Sequence, residues 1–373
     1  MHRWRPEGQE RRDEARAKLA RVRRYLASRD LDAVLLSRRN NFAWLTAGGD
    51  NHVVSATAEG PTHLLVTRDS VRVIATNIEI PRILAEELDG LEFEPMVTAW
   101  YENGSHAIAA ATQSLRVAAD TPIAGGPVLG LDFARLRFAL LPSEVERYRR
   151  LGLAVAAIIE DVARGVRPGD TEWEIAGRVT EAMSARGLTP AVLLVAADAR
   201  IARFRHPIPT PARVERQAML VTVAEAGGLH VALSRLVRHG PLTADLAQRH
   251  AAVVAIDSAL AAASVPGVRA CDALQAGIAA YRISGYDDEW RWHHQGGPTG
   301  YAPREYIVTP QTTEPLVEHQ PVAWNPSVAG TKSEDTFLVS PDGPSYVTMT
   351  GSWPTRRLAV GGQTIERPVI LEL

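Results

Sequence analysis

Gly330-Thr331-Lys332-Ser333-Glu334-Asp335 runs straight into Thr336-Phe337-Leu338-Val339. The first six residues read as a polar turn, and the next four as a short strand whose apolar side chains reach a core. A carboxylate beside a strand can hold a metal ion, a guanidinium or another cation. The plainer alternative is a hairpin turn carrying two solvated acids. One turn earlier stands Trp324-Asn325-Pro326, at the end of another strand-like run that begins at Pro321.

Working outward, two more strand-like runs cover Met219 to Ala224 and Val231 to Val237. Helical patterns come before them. Leu141-Pro142-Ser143-Glu144 opens a segment in which Ser143 is a suitable N-cap and Glu144 suits the positive helix end. Leu151, Val155, Ile158, Ile159 and Val162 then lie on one helical face up to Gly165. Thr171 is positioned to cap a second helix that Gly187 stops, and Ala244 to Ala263 reads as a third. Helices followed by antiparallel-looking strands predict an α+β domain. The preceding residues alternate differently. A helix over Arg11 to Arg29 leads to strands at Leu31 to Leu36, His63 to Val66 and Val71 to Ala75. Asn40 to Gly49 reads as a turn, Ile80 to Leu88 as helical, and Val128 to Asp132 as another buried strand. That order predicts an α/β domain. The expected division is 1–140 and 141–373.

The bulk numbers exclude several classes. A net charge of -2 gives no footing for a nucleic acid or an anionic membrane. A single cysteine, Cys271, permits no intrachain disulfide and fits a reducing cytoplasm. Met1 to Arg24 is charged and lacks the apolar centre of a signal peptide, and no window approaches the ~20 apolar residues of a membrane span. A cytoplasmic protein with a small-molecule substrate is expected.

The chemistry-bearing residues are few. His206 precedes Pro207, whose ring holds the preceding residue extended, so the imidazole can project from a rigid loop and titrate near neutrality. His293 and His294 precede Gln295-Gly296-Gly297, where glycines allow close backbone approach. If this is a strand, the two histidines point to opposite faces and only one reaches a pocket, with either possible. Arg304 is a candidate fork for a substrate carboxylate.

Together these stretches resemble the creatinase, prolidase and aminopeptidase P superfamily, the pita-bread fold. Glu144 to Gly187, with Gly165-Val166-Arg167-Pro168-Gly169 and Thr171-Glu172, is similar to its paired helices, and Asn41-Phe42-Ala43-Trp44-Leu45-Thr46 matches a motif of its N-terminal domain. The resemblance implies a creatinase-type N-terminal domain followed by a pita-bread domain, and a homodimer in which residues near Asn41 or Tyr101 complete a neighbour's site. It also implies five metal ligands: two Asp, one His and two Glu. Aligned on Arg235, the Asp positions hold Val221 and Ala232; a shifted register offers Glu225 but then places Leu236 at the second. The His is His293 or His294, the first Glu position holds Asn325, and the second is Glu334. Hard divalent ions need oxygen anions, so no functional dinuclear metal site and no cofactor are expected.

The likeness to the metal-free creatinase branch implies His206 as acid/base, with His293, His294 and Glu334 completing the catalytic set. Arg304, Ser234, Arg235, Asn325 and Tyr301 are the expected substrate-binding residues. Ser234 stands where creatinase has a guanidinium-binding Glu, which argues against creatine itself. The expected activity is metal-independent cleavage of a C–N bond in a small amide, amidine or guanidino-like molecule. The alternatives are a binding protein without catalysis and a metallo-aminopeptidase or prolidase with unusual ligands.

Overall fold

In the computed structural model, which describes residues 4–102 and 104–373, the chain divides into two units. The first runs to Arg137 and includes Gly227–Leu229; the second is Phe138–Ala226 with His230–Leu373.

In the first unit, α1 (Gly8–Arg29) buries Ala15, Val22 and Leu26, spaced for one helical face. The chain continues through β1 (Ala33–Arg38), α2 (Arg39–Leu45), β2 (Glu59–Thr67), β3 (Val71–Thr76), α3 (Ile80–Arg82, extended as a π turn over Ile83–Glu87), β4 (Glu94–Thr98), α4 (Gly104–Thr112), β5 (Val117–Ala119) and α5 (Leu131–Ala134). The sheet order is β4-β3-β2-β1-β5. β1 is antiparallel to β2 and parallel to β5, and Leu35, Leu65, Ile74 and Val117 pack together.

Two expectations change here. Asn40 to Gly49 is not a turn throughout, because α2 occupies its first half and buries Phe42, Trp44 and Leu45. Val128 to Asp132 is not a strand. Val128 makes only an isolated bridge to Ala119, and Gly130 caps the short α5. Pro127 has no N–H to give a ladder. Asn41 is buried, donating to Asp120 at 2.8 Å and accepting from Arg137 at 2.8 Å, so its amide is committed within its own unit.

The second unit contains α6 (Pro142–Arg164), α7 (Glu172–Ser184), β6 (Thr189–Ala197), α8 (Ala199–Arg203), β7 (Gln217–Ala226), β8 (Leu229–Arg238), α9 (Ala244–Ala262), α10 (Ala270–Ile283), β9 (Gly296–Pro298), β10 (Pro321–Trp324), β11 (Ser327–Val328), β12 (Thr331–Lys332), β13 (Asp335–Leu338), β14 (Ser345–Tyr346), β15 (Thr355–Val360), β16 (Gln363–Pro368) and β17 (Leu371–Glu372). Helix α6 starts at Pro142, one residue before the expected cap. Pro suits the first helical position, and Glu144 reaches back to the Leu141 N–H at 2.7 Å. Thr171 caps α7 as expected, accepting from the Glu174 N–H.

Two four-stranded sheets, β17-β8-β7-β6 and β14-β13-β10-β9, carry the unit. They meet where β8 runs beside β13. The Ser234 N–H donates to the Glu334 carbonyl at 3.0 Å, and Thr336 Oγ1 bonds both the N–H and the carbonyl of Ala232 at 2.8 Å. This seam sets Ser234 against Glu334. Among the described residues, no helix is long and apolar enough to cross a membrane.

His250 on α9 gives the unit a pH dependence. It is buried, its Nδ1 is 2.7 Å from Thr331 Oγ1, and its Nε2 has no partner among the described residues. Burial lowers its pKa from 6.5 to about 4. Between those values the unfolded chain binds the proton and the folded chain does not, so stability is complete above pH 6.5 and falls as the pH drops to 4. At about 1.4 kcal/mol per pH unit the loss reaches roughly 3 kcal/mol. His250→Asn, which keeps an amide near Thr331, is expected to flatten the urea midpoint across this window. An unchanged slope would assign the acid sensitivity elsewhere.

Candidate active site

His206 lies in the loop that follows α8. Its neighbour Arg205 pins the loop, donating to Ser327 Oγ at 3.2 Å and pairing with Glu289. His206 as a whole is exposed, but its ring is partly shielded from water against His293. Its Nε2 lies 3.0 Å from the Nε2 of His293, which is buried. Two ring nitrogens at that separation share one hydrogen.

Both histidines of the pair reach the site, contrary to the expectation that only one does. The rings of His293 and His294 stack with centroids 4.6 Å apart and planes at 22°. Each is also within 6 Å of the His206 ring, at 4.9 and 5.7 Å. The two-face rule fails because β9 starts only at Gly296, which has φ +88. Gln295 fixes this segment. Its amide donates to the carbonyls of His293 (2.7 Å) and Trp290 (3.1 Å), and its Oε1 accepts from the Tyr281 hydroxyl at 2.9 Å.

Glu334 is buried, so the solvated-turn alternative fails. Nor is the carboxylate free to grip a substrate. Oε2 accepts from Ser234 Oγ at 2.7 Å and sits 3.3 Å from Lys332 Nζ; Oε1 pairs with Arg304 Nη2 at 3.3 Å. Burial alone would raise its pKa, but Lys332 and Arg304 outweigh that and hold it below the usual carboxylate range. Lys332, from the same polar turn, is part of the site. Positions i and i+2 of an extended chain share a face, which is the signal that joins Lys332 to Glu334.

The other expected binding residues divide. Ser234 serves Glu334, and Arg304 gives it one arm of its guanidinium. Arg235 is corrected from substrate contact to internal strut. It is 1% exposed, and its three nitrogens are engaged by Glu160, Asp335, the Ser234 carbonyl and the Thr348 carbonyl. The buried Tyr301 hydroxyl donates to Glu144 at 2.6 Å, tying it to the start of α6. Asn325 is buried, with an Oδ1 that has no partner among the described residues.

The imidazoles sit in a field that disfavours added positive charge. Burial first and Lys332 second lower the pKa of His206. Burial, Arg304 and Lys332 take His294 to about 4, and burial followed by Lys332 pushes His293 down strongly. All three shifts favour the neutral imidazole.

This arrangement of helices and paired sheets has known counterparts. The model of metallopeptidase family M24 matches residues 146–341. The chain belongs to metallopeptidase family M24. Dipeptidase PepE from Mycobacterium ulcerans superposes with a TM-score of 0.76 at 18% identity, covering 90% of this chain and 96% of its own. The Xaa-Pro dipeptidase from Bacillus anthracis does so with 0.76 at 16%, covering 96% and 100%. The N-terminal domain of the FACT complex subunit SPT16 from Cicer arietinum reaches 0.69 at 11%, covering 91% and 97%. At such identities the likeness is one of fold. No curated protein matches the sequence.

The M24 fold is that of a two-domain, peptidase-like hydrolase family, but the metal pair implied by the family does not fit these residues. Val221 packs with Leu194, Met219 and Leu236, and Ala232 packs with Val223 and Ala323. Neither position offers an oxygen donor. Asn325 is neutral, and Glu334 is already compensated by Lys332 and Arg304. One nitrogen-rich alternative exists among the described residues: ligand atoms of His206, His293 and His294 all lie within 4.8 Å of one another. Lys332 opposes a divalent ion there for the same reason that it opposes a proton.

Proposed function

We propose that this M24 member hydrolyses a C–N bond in a small polar amide without a carboxylate-bridged metal pair. The reading rests on one observation: the surviving carboxylate, Glu334, is neutralised from within by a lysine and an arginine. His206 is the proton carrier. For its Nδ1 to act as base, the Nε2–H is donated to His293, which thereby orients the ring. Lys332 and Arg304 outnumber Glu334 locally, so a cationic guanidino substrate is opposed and a neutral or anionic amide is favoured. This revises the creatinase-like expectation toward acyl–nitrogen substrates.

A second reading, a metallopeptidase with atypical ligands, draws on the three clustered imidazoles. Elemental analysis separates the two. Protein purified after growth with Mn, Co and Zn is expected to carry well under one equivalent of any of them. Amine release from a panel of dipeptides and N-acyl amino acids is expected to survive EDTA. Two tightly held ions per chain, or activity abolished by EDTA and restored by a divalent ion, would overturn the proposal.

A further inference from the structure

We propose that Lys332 is the resident electrophile of this site, its ammonium holding the substrate carbonyl oxygen as negative charge develops on it. The inference deepens the metal-independent reading above and rests on it. Lys332 is 5% exposed and lies beside Glu334 at the sheet seam. It lines two small cavities: one shared with His293, Arg205 and Ser327, the other with Ser234, Glu334 and His250. Among the described residues, no other lines both. Glu334 is shared between Lys332 and Arg304, so one carboxylate faces a buried ammonium and a partly buried guanidinium. Of the three ammonium hydrogens, the Glu334 contact takes one.

An ammonium in that position does what a metal ion does for a carbonyl, without needing the missing carboxylates. Water attacks the acyl carbon while His206 takes a proton from it. A C–O bond forms, and the carbonyl π pair moves onto the oxygen held by Lys332. Collapse re-forms C=O and breaks C–N, and the proton on His206 passes to the leaving nitrogen. One water is consumed, and an acid and an amine are released. In enzymes where one oxyanion donor has been removed, turnover falls roughly 10²–10³-fold.

The test uses acetate as a probe for the oxyanion, followed through the imidazole signals of the ¹³C-histidine-labelled full chain. Wild type is expected to show saturable shifts of His206, His293 and His294. Lys332→Met should weaken acetate binding at least about tenfold, and Arg304→Met much less. If Lys332→Met does not fold, Lys332→Met/Glu334→Gln removes both charges of the pair and serves in its place. Absence of acetate shifts in wild type, unchanged binding without Lys332, or loss with Arg304→Met alone would each overturn the assignment. On any amide that wild type cleaves in EDTA, Lys332→Met should lower kcat about 10²-fold or more with KM changed little. EDTA-sensitive cleavage would instead sink the metal-independent reading. EDTA-resistant cleavage with kcat untouched by Lys332→Met would sink only the role of the lysine.

Discussion

Arg235→Met is expected to cost about 3–5 kcal/mol of the second unit's stability, the range seen when one partner of a buried ion pair is removed. The reason is the company this guanidinium keeps. Nε and Nη2 lie 3.3 and 3.2 Å from Glu160 Oε1, and Nη1 lies 3.0 Å from Asp335 Oδ1. Two carbonyls, Ser234 and Thr348, accept from it at 2.9 Å. Methionine matches much of the stem but leaves Glu160 and Asp335 buried with less compensation. Asp335 retains Arg367, whose Nη2 is 3.0 Å from Oδ2, near enough to pair although out of hydrogen-bond alignment. Among the described residues, Glu160 retains only neutral donors, the hydroxyls of Thr350 and Ser352. A lower urea midpoint with unchanged slope would report the loss. Glu160→Gln added to Arg235→Met should recover part of it. If the double variant is no more stable than the single, stranded charge is not the cause.

The same residue illustrates what could be read from the sequence. Arg235 was recognisable as a landmark, since the register of Val221 and Ala232 follows from it. Its saturation by Glu160 and Asp335 was not, because those partners are 75 and 100 residues away along the chain. Strands with dense apolar runs were legible, and Pro321–Trp324 was found with its observed bounds. Helix α10 was not anticipated. It contains Gly277, which weakens a helical reading by ~1 kcal/mol relative to alanine. The structure explains the glycine: a Cβ there would lie 2.4 Å from Leu260 Cδ2, so α9 and α10 pack too closely for a side chain. Lys332 escaped for a different cause. A lysine in a turn is ordinarily solvated, and only the seam between the sheets buries it against Glu334.

His206→Asn is expected to lower turnover by roughly 10²–10⁴, the usual contribution of a positioned acid/base group. Asparagine preserves polarity at the loop tip but cannot carry a proton. The pH profile adds a check that a merely structural histidine would not meet. Burial and the nearby Lys332 ammonium lower the His206 pKa from 6.5. A base must be unprotonated to act, so kcat/KM should rise with pH along a limb centred below 6.5 and stay level through neutrality. Lys332→Met removes one cause of the depression and should move that limb upward, toward 6.5, in whatever activity remains. Amine release from the dipeptide and N-acyl panel supplies the measurement. Turnover unaffected by His206→Asn, or a limb that stays where it was when Lys332 is neutralised, would take the proton transfer away from this histidine. The geometry would then leave His294 as the other ring to test, since His293 is buried against it.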